Sequence, residues 1–157
     1  MKQNNLSKLQ NVTKYETKVY TTERELVDIN KAEDTKGNSD KKVLVVDDDI
    51  EILQLMSRII ERSGYHVKSA SDAEEALKLI MENQFNLVIS DISLPGMSGI
   101  ELYNKVRNKY ECPEFIFMSG YAVNDMDEMI LESAADFFPK PFRIKSVMET
   151  ISRILSN

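Results

Sequence analysis

The chain has 157 residues, 42% of them hydrophobic and 29% charged, with 20 Lys+Arg against 26 Asp+Glu and a formal net charge of −6. That length suffices for one domain with a full core, and the acidic balance argues against a general nucleic-acid-binding surface, which needs a basic face. No apolar run approaches the roughly 18–20 residues that cross a bilayer, and no apolar stretch follows the N-terminal charge, so no signal peptide is read. The single cysteine, Cys112, excludes a cysteine-built zinc site. The single histidine, His66, leaves no histidine-rich metal site, and within Tyr65-His-Val-Lys it reads as a strand or edge residue. A cytoplasmic location is expected.

Residues 1–40 hold only 11 apolar residues, and their seven basic and seven acidic side chains cancel. Such a segment buries too little apolar surface to offset its own ordering entropy. It reads as a polar N-terminal extension, flexible or partly helical, ahead of a domain at 41–157. Within it, Thr22-Glu-Arg-Glu25 is a capping-box pattern before Leu26, Val27 and Ile29. Lys36 to Asp40 reads as a linker.

From Lys41 onward, short apolar runs alternate with helical patterns. Val43-Leu-Val-Val46 has no polar alternation and reads as a strand buried on both faces; it runs into Asp47, Asp48 and Asp49. Ile52, Leu55, Met56, Ile59 and Ile60 follow helical spacing, with a stop at Ser63-Gly64. His66 to Ala70 is a second strand. Ser71-Asp-Ala-Glu74 is a capping box for the next helix. Leu87-Val-Ile-Ser-Asp91 is a third strand ending in a carboxylate, followed by a turn at Pro95 to Gly99 and a helix through Val106. Phe115 to Met118 is a fourth strand leading to Ser119-Gly120. Asn124 opens a weak helix, Asp136-Phe-Phe138 is a short fifth strand before Pro139-Lys-Pro141, and a last helix carries Ile144 to Leu155. Five strands alternating with five helices predict a doubly wound, five-stranded parallel α/β domain.

In a parallel sheet the strand ends share one edge, so Asp47, Asp48, Asp49, Asp91, Ser119 and Lys140 converge. Clustered carboxylates raise one another's pKa, and a cation relieves that. Carboxylate oxygens suit a hard divalent ion, magnesium foremost and manganese as a substitute. A lysine and a hydroxyl opposite the metal can bind the remaining oxygens of a phosphoryl group. Asp49 reads as solvated or as a favourable first-turn charge.

Four stretches, in this order, resemble the receiver domain of two-component response regulators: Val-Leu-Val-Val-Asp-Asp-Asp at 43–49, Leu-Val-Ile-Ser-Asp-Ile-Ser-Leu-Pro-Gly-Met-Ser-Gly at 87–99, Phe-Met-Ser-Gly at 117–120 and Phe-Phe-Pro-Lys-Pro-Phe at 137–142. The resemblance covers about three quarters of the chain. It implies a sheet of order 2-1-3-4-5 and a phospho-acceptor rather than an enzyme, apart from self-catalysed phosphotransfer and autodephosphorylation. It implies that Asp91 takes a phosphoryl group from a phosphohistidine on a sensor histidine kinase or phosphotransfer protein. Magnesium would be held by Asp48 and Asp91 directly, by Asp47 through water, and by the backbone carbonyl of Ser93. Lys140 would contact the phosphoryl group beside a cis bond to Pro141. Ser119 and Phe137 would form the switch, and Gly120 would leave room for the donor.

Ser93 and Tyr121 occupy positions that tune phosphoryl lifetime, and Tyr121 is expected to shield the acyl phosphate. Ser133-Ala134 stands where the family usually has Gly-Ala. The regulated surface implied is the helix after Asn124, the fifth strand and the last helix, contacting a downstream protein or a second copy in a phosphorylation-linked homodimer. A stand-alone receiver without a DNA-binding output is expected; the alternatives are the receiver portion of a hybrid histidine kinase and, remotely, a haloacid-dehalogenase-type phosphatase with Asp47 as nucleophile.

Overall fold

The computed structural model describes residues 40–108, 111–120 and 132–156. Five strands form one parallel sheet: β1 (Lys42–Val46), β2 (His66–Ala70), β3 (Leu87–Asp91), β4 (Glu114–Ser119) and β5 (Asp136–Pro139). Their spatial order is β2-β1-β3-β4-β5, as expected. Four helices are described: α1 (Ile50–Arg62), α2 (Ala73–Glu82), α3 (Gly99–Val106) and α4 (Ile144–Leu155). The weak helix expected from Asn124, the N-terminal extension through residue 39 and Tyr121 lie outside the described residues.

Strand alternation explains the two layers. Successive side chains point to opposite faces, so Val43, Val45, Leu87, Ile89, Ile116 and Met118 share one core with α1 and α4. Leu44, Val46, Val88, Phe115 and Phe117 share the other with Leu102, Tyr103 and Val106 of α3 and Ala73 and Ala76 of α2. Each helix faces its layer with a stripe spaced three and four apart: Ile52, Met56, Ile59 and Ile60 on α1, and Ile144, Val147, Ile151 and Leu155 on α4. Central strands β1 and β3 are covered from both sides, which is why Val43–Val46 and Leu87–Ile89 run apolar without a break.

Local chemistry sets the helix ends. Asp49 caps α1, its carboxylate accepting from the amides of Glu51 and Ile52, so its role is more specific than a solvated first-turn charge. Gly64, with φ 90, turns the chain out of α1. The cap of α2 lies one residue later than the pattern suggested. Asp72 accepts from the Glu75 amide at 2.7 Å, while the Glu75 carboxylate accepts from the Ser71 amide at 3.0 Å. Two overlapping frames compete here, and the one led by a carboxylate prevails, its charge favoured by the helix N-terminus. Glu74, freed from capping, accepts from the amide of Met97 at 3.3 Å.

Candidate metal and phosphoryl site

Parallel pairing brings Asp47 at the end of β1, Asp91 at the end of β3, Ser119 at the end of β4 and Lys140 after β5 to one edge of the sheet. Asp47 is wholly buried and Asp91 is 6% exposed, whereas Asp48 reaches solvent. Lys140 ties the first two together: its Nζ donates to Asp47 Oδ2 at 2.8 Å and to Asp91 Oδ2 at 2.9 Å. The other oxygen of each carboxylate meets a backbone amide, that of Asp49 for Asp47 (2.9 Å) and that of Ser93 for Asp91 (3.0 Å). Charge-assisted bonds of this kind fix both acids in place.

The electrostatics follow from burial. Burial pushes the Asp47 pKa above the ordinary carboxylate value; the hydrogen bond and charge of Lys140 and the Asp49 amide offset part of that, and the charge of Asp91 adds the smallest upward push. Repulsion among the acids is thus secondary to desolvation at Asp47. Burial works to lower the Lys140 pKa, but its hydrogen bonds to Asp47 and Asp91 and the charges of those acids together outweigh it, and the ammonium holds its proton above the usual lysine range.

Asp47, Asp48 and Asp91 each offer a carboxylate oxygen, all within 4.8 Å of one another. Three carboxylates against one ammonium leave two negative charges uncompensated, which a divalent cation matches. The donor set, oxygen only and with one member open to solvent, fits a hard ion that keeps several waters.

The backbone around Asp91 is equally constrained. Gly99 opens α3 so close to β3 that a Cβ there would lie 2.2 Å from the Asp91 carbonyl oxygen and 2.9 Å from Ser90 Oγ. The Gly99 amide donates to the Ile92 carbonyl at 2.9 Å, and Ser98 and Glu101 form a capping box. Neither feature was anticipated from the sequence. The signal was there, since Ser98-Gly-Ile-Glu101 has the Ser-x-x-Glu pattern, but only the Met-Ser-Gly turn was read from it.

Ser119 is buried, 3% exposed, and its carbonyl accepts from the Lys140 amide at 2.7 Å, joining the ends of β4 and β5. The Lys140–Pro141 peptide bond is cis. Phe137 lies beside Phe117 in the sheet and is half-buried against the α2–α3 side of the core. Ser133 forms its turn without glycine and takes a hydrogen bond at 3.2 Å from the hydroxyl of Tyr103, whose ring packs edge-on against Phe115 and Phe117. Gly120 leaves room beside the site, the nearest atom to an added Cβ being Lys140 Cβ at 3.9 Å. His66 is exposed at the start of β2, remote from this edge of the sheet.

Residues 43–152 match the family described as the response regulator receiver domain. The chain is 33% identical over 113 residues to the response regulator protein FleR of Pseudomonas aeruginosa, a match covering 71% of this chain and 24% of FleR. It thus spans about a quarter of that relative's length. Among solved structures it resembles a receiver domain protein from Methanospirillum hungatei (35% identity, TM-score 0.69, covering 74% of this chain and 94% of that one). It also resembles the response regulator TrrA of Thermotoga maritima in complex with Mg²⁺-BeF (31% identity, TM-score 0.66, covering 73% and 98%).

Proposed function

The chain belongs to the response regulator receiver domain family, and from that premise we propose that Asp91 accepts a phosphoryl group from a phosphohistidine donor. The observation that carries this reading is the double bridge of Lys140 to Asp91 and Asp47, at the edge where three carboxylates converge. In the transfer, an Asp91 carboxylate oxygen forms a bond to phosphorus as the P–N bond to the donor imidazole breaks. The imidazole nitrogen leaves with the bonding pair and takes up a proton. Asp47, Asp48, Asp91 and the Ser93 carbonyl would hold magnesium, which would supply positive charge to offset that on the phosphoryl oxygens. Lys140 holds a proton at Nζ throughout and stabilises the developing charge beside Asp91.

A nucleophile at Asp47, as a dehalogenase-type phosphatase requires, is disfavoured, because that side chain has no exposed surface while Asp91 retains some. The module proposed spans 41–157. Its acidic charge supports output through protein contacts in the cytoplasm rather than through DNA, with a histidine kinase or phosphotransfer protein upstream. Ser119 and Phe137 are proposed to relay the phosphorylated state to the surface around β5 and α4, where a downstream protein or a second copy would bind.

Incubation with a phosphorylated histidine kinase, or with acetyl phosphate and magnesium, is expected to label the protein in an acid-stable, hydroxylamine-sensitive form. Asp91→Asn should abolish that label. Persistent labelling of Asp91→Asn at wild-type levels would reject Asp91 as the acceptor.

A further inference from the structure

The phosphoryl site occupies the carboxyl edge of the sheet; a second feature occupies the opposite edge. A cavity of about 510 Å³ wraps the amino-terminal end of β2, which is an edge strand. Tyr65, Val67 and Phe85 give it apolar wall, and Lys42, Lys68 and His66 give it basic wall. Glu61 is the one carboxylate lining it, so the two ammonium groups outnumber the acids. Lys68 donates to Asn83 Oδ1 at 3.0 Å, a neutral partner that leaves its charge uncompensated. Among the described residues β2 pairs with β1 alone, so its outer side is open. An apolar wall with a positive surplus, beside an open strand edge, fits an acidic peptide with an apolar side.

The same chain supplies such a peptide. The segment preceding the domain enters it at Asp40-Lys41-Lys42, and Lys42 is itself part of the cavity wall. Upstream, residues 22–30 carry Glu23, Glu25 and Asp28 against a single Arg24, with apolar Leu26, Val27 and Ile29. The 11 residues between Asn30 and Lys42 reach at most roughly 40 Å when extended. A tether that short holds the peptide at an effective concentration on the order of millimolar.

We propose that residues 22–30 dock intramolecularly in this cavity, with Leu26, Val27 and Ile29 against Tyr65, Val67 and Phe85 and the carboxylates facing Lys42 and Lys68. The docked arm covers the open edge of β2 and leaves Asp91, at the other end of the strands, accessible to a phosphoryl donor.

Amide hydrogen exchange on the intact chain tests this. Exchange in residues 22–30 is expected to be at least about fivefold slower than in a Lys42→Glu/Lys68→Glu variant, and that variant should be restored by adding Glu23→Lys and Glu25→Lys. Leu26→Ser/Val27→Ser/Ile29→Ser should in turn speed exchange in residues 65–69, with strands β3 and β4 unchanged as a control for folding. Three results overturn the proposal: no protection in residues 22–30, no response of residues 65–69 to the serine substitutions, or protection that rises with protein concentration, which would place a second copy in the cavity.

Discussion

Asp47 makes the stability of this protein depend on pH in an unusual direction. Its folded pKa lies above the ordinary 3.8, so the native state binds its proton more tightly than the unfolded chain does. Below 3.8 the acid is protonated in both states; as pH rises through the folded value, a buried charge must form and stability falls. Urea denaturation in a chelator should therefore show the wild type losing on the order of 1 kcal/mol per pH unit through that window relative to Asp47→Asn. Lys140 works in the same sense in a higher window: its contribution is complete below 10.5 and is lost as pH rises through its raised folded value. Lys140→Met leaves two buried carboxylates facing each other without a cation. It is expected to cost about 3 kcal/mol in chelator, with added magnesium recovering part of the loss in thermal melts. The acids and the lysine were legible as residues because each ends or follows an apolar run. Their pairing was not, because no sequence pattern states that Lys140 bridges Asp47 as well as Asp91.

The element scale explains why Asp91 sits still. Helix α3 begins against the Asp91 carbonyl, and the amide of Ser93 holds the Asp91 side chain from the same loop. Ser98→Ala removes one cap and should cost about 1 kcal/mol. Gly99→Ala has no room at 2.2 Å from backbone and must move either the helix or the acceptor. It is expected to cost more than about 2 kcal/mol by chemical denaturation and to slow Asp91 phosphorylation at least severalfold in a timed labelling assay. Most boundaries were legible from period and punctuation, α4 among them. The α2 cap was not, since Ser71 and Asp72 offer two frames of the same pattern, and the carboxylate of Asp72 prevails while Glu74 turns to the Met97 amide. The contact at Gly99 was invisible for a related reason: a close approach depends on where another strand ends.

For the whole molecule, strand order was legible from the alternation of elements together with four resembling motifs, and the structure agrees. The relay proposed from the site to the surface is where geometry adds most. Lys140 and Ser119 are joined through their backbones, and Phe137 precedes Lys140 on the short strand β5, half-buried rather than fixed in the core. Tyr103 and Ser133 tie α3 to the entry of that strand. Adding fluoroberyllate with magnesium is therefore expected to shift the amide resonances of residues 115–120 and 136–142, with smaller changes at Tyr103 and Ser133. Unchanged spectra across β4 and β5 would rule out the switch proposed for Ser119 and Phe137.

The bridge of Lys140 also has a consequence for the newborn chain. Its two bonds span 93 and 49 residues of sequence, and the lysine follows the last strand. A ribosome therefore delivers both carboxylates well before their counter-ion, and Asp91 exists for that interval as a carboxylate without its ammonium. Completion of the site coincides with the arrival of β5, so the proposed competence to be phosphorylated would report that the sheet has closed in full.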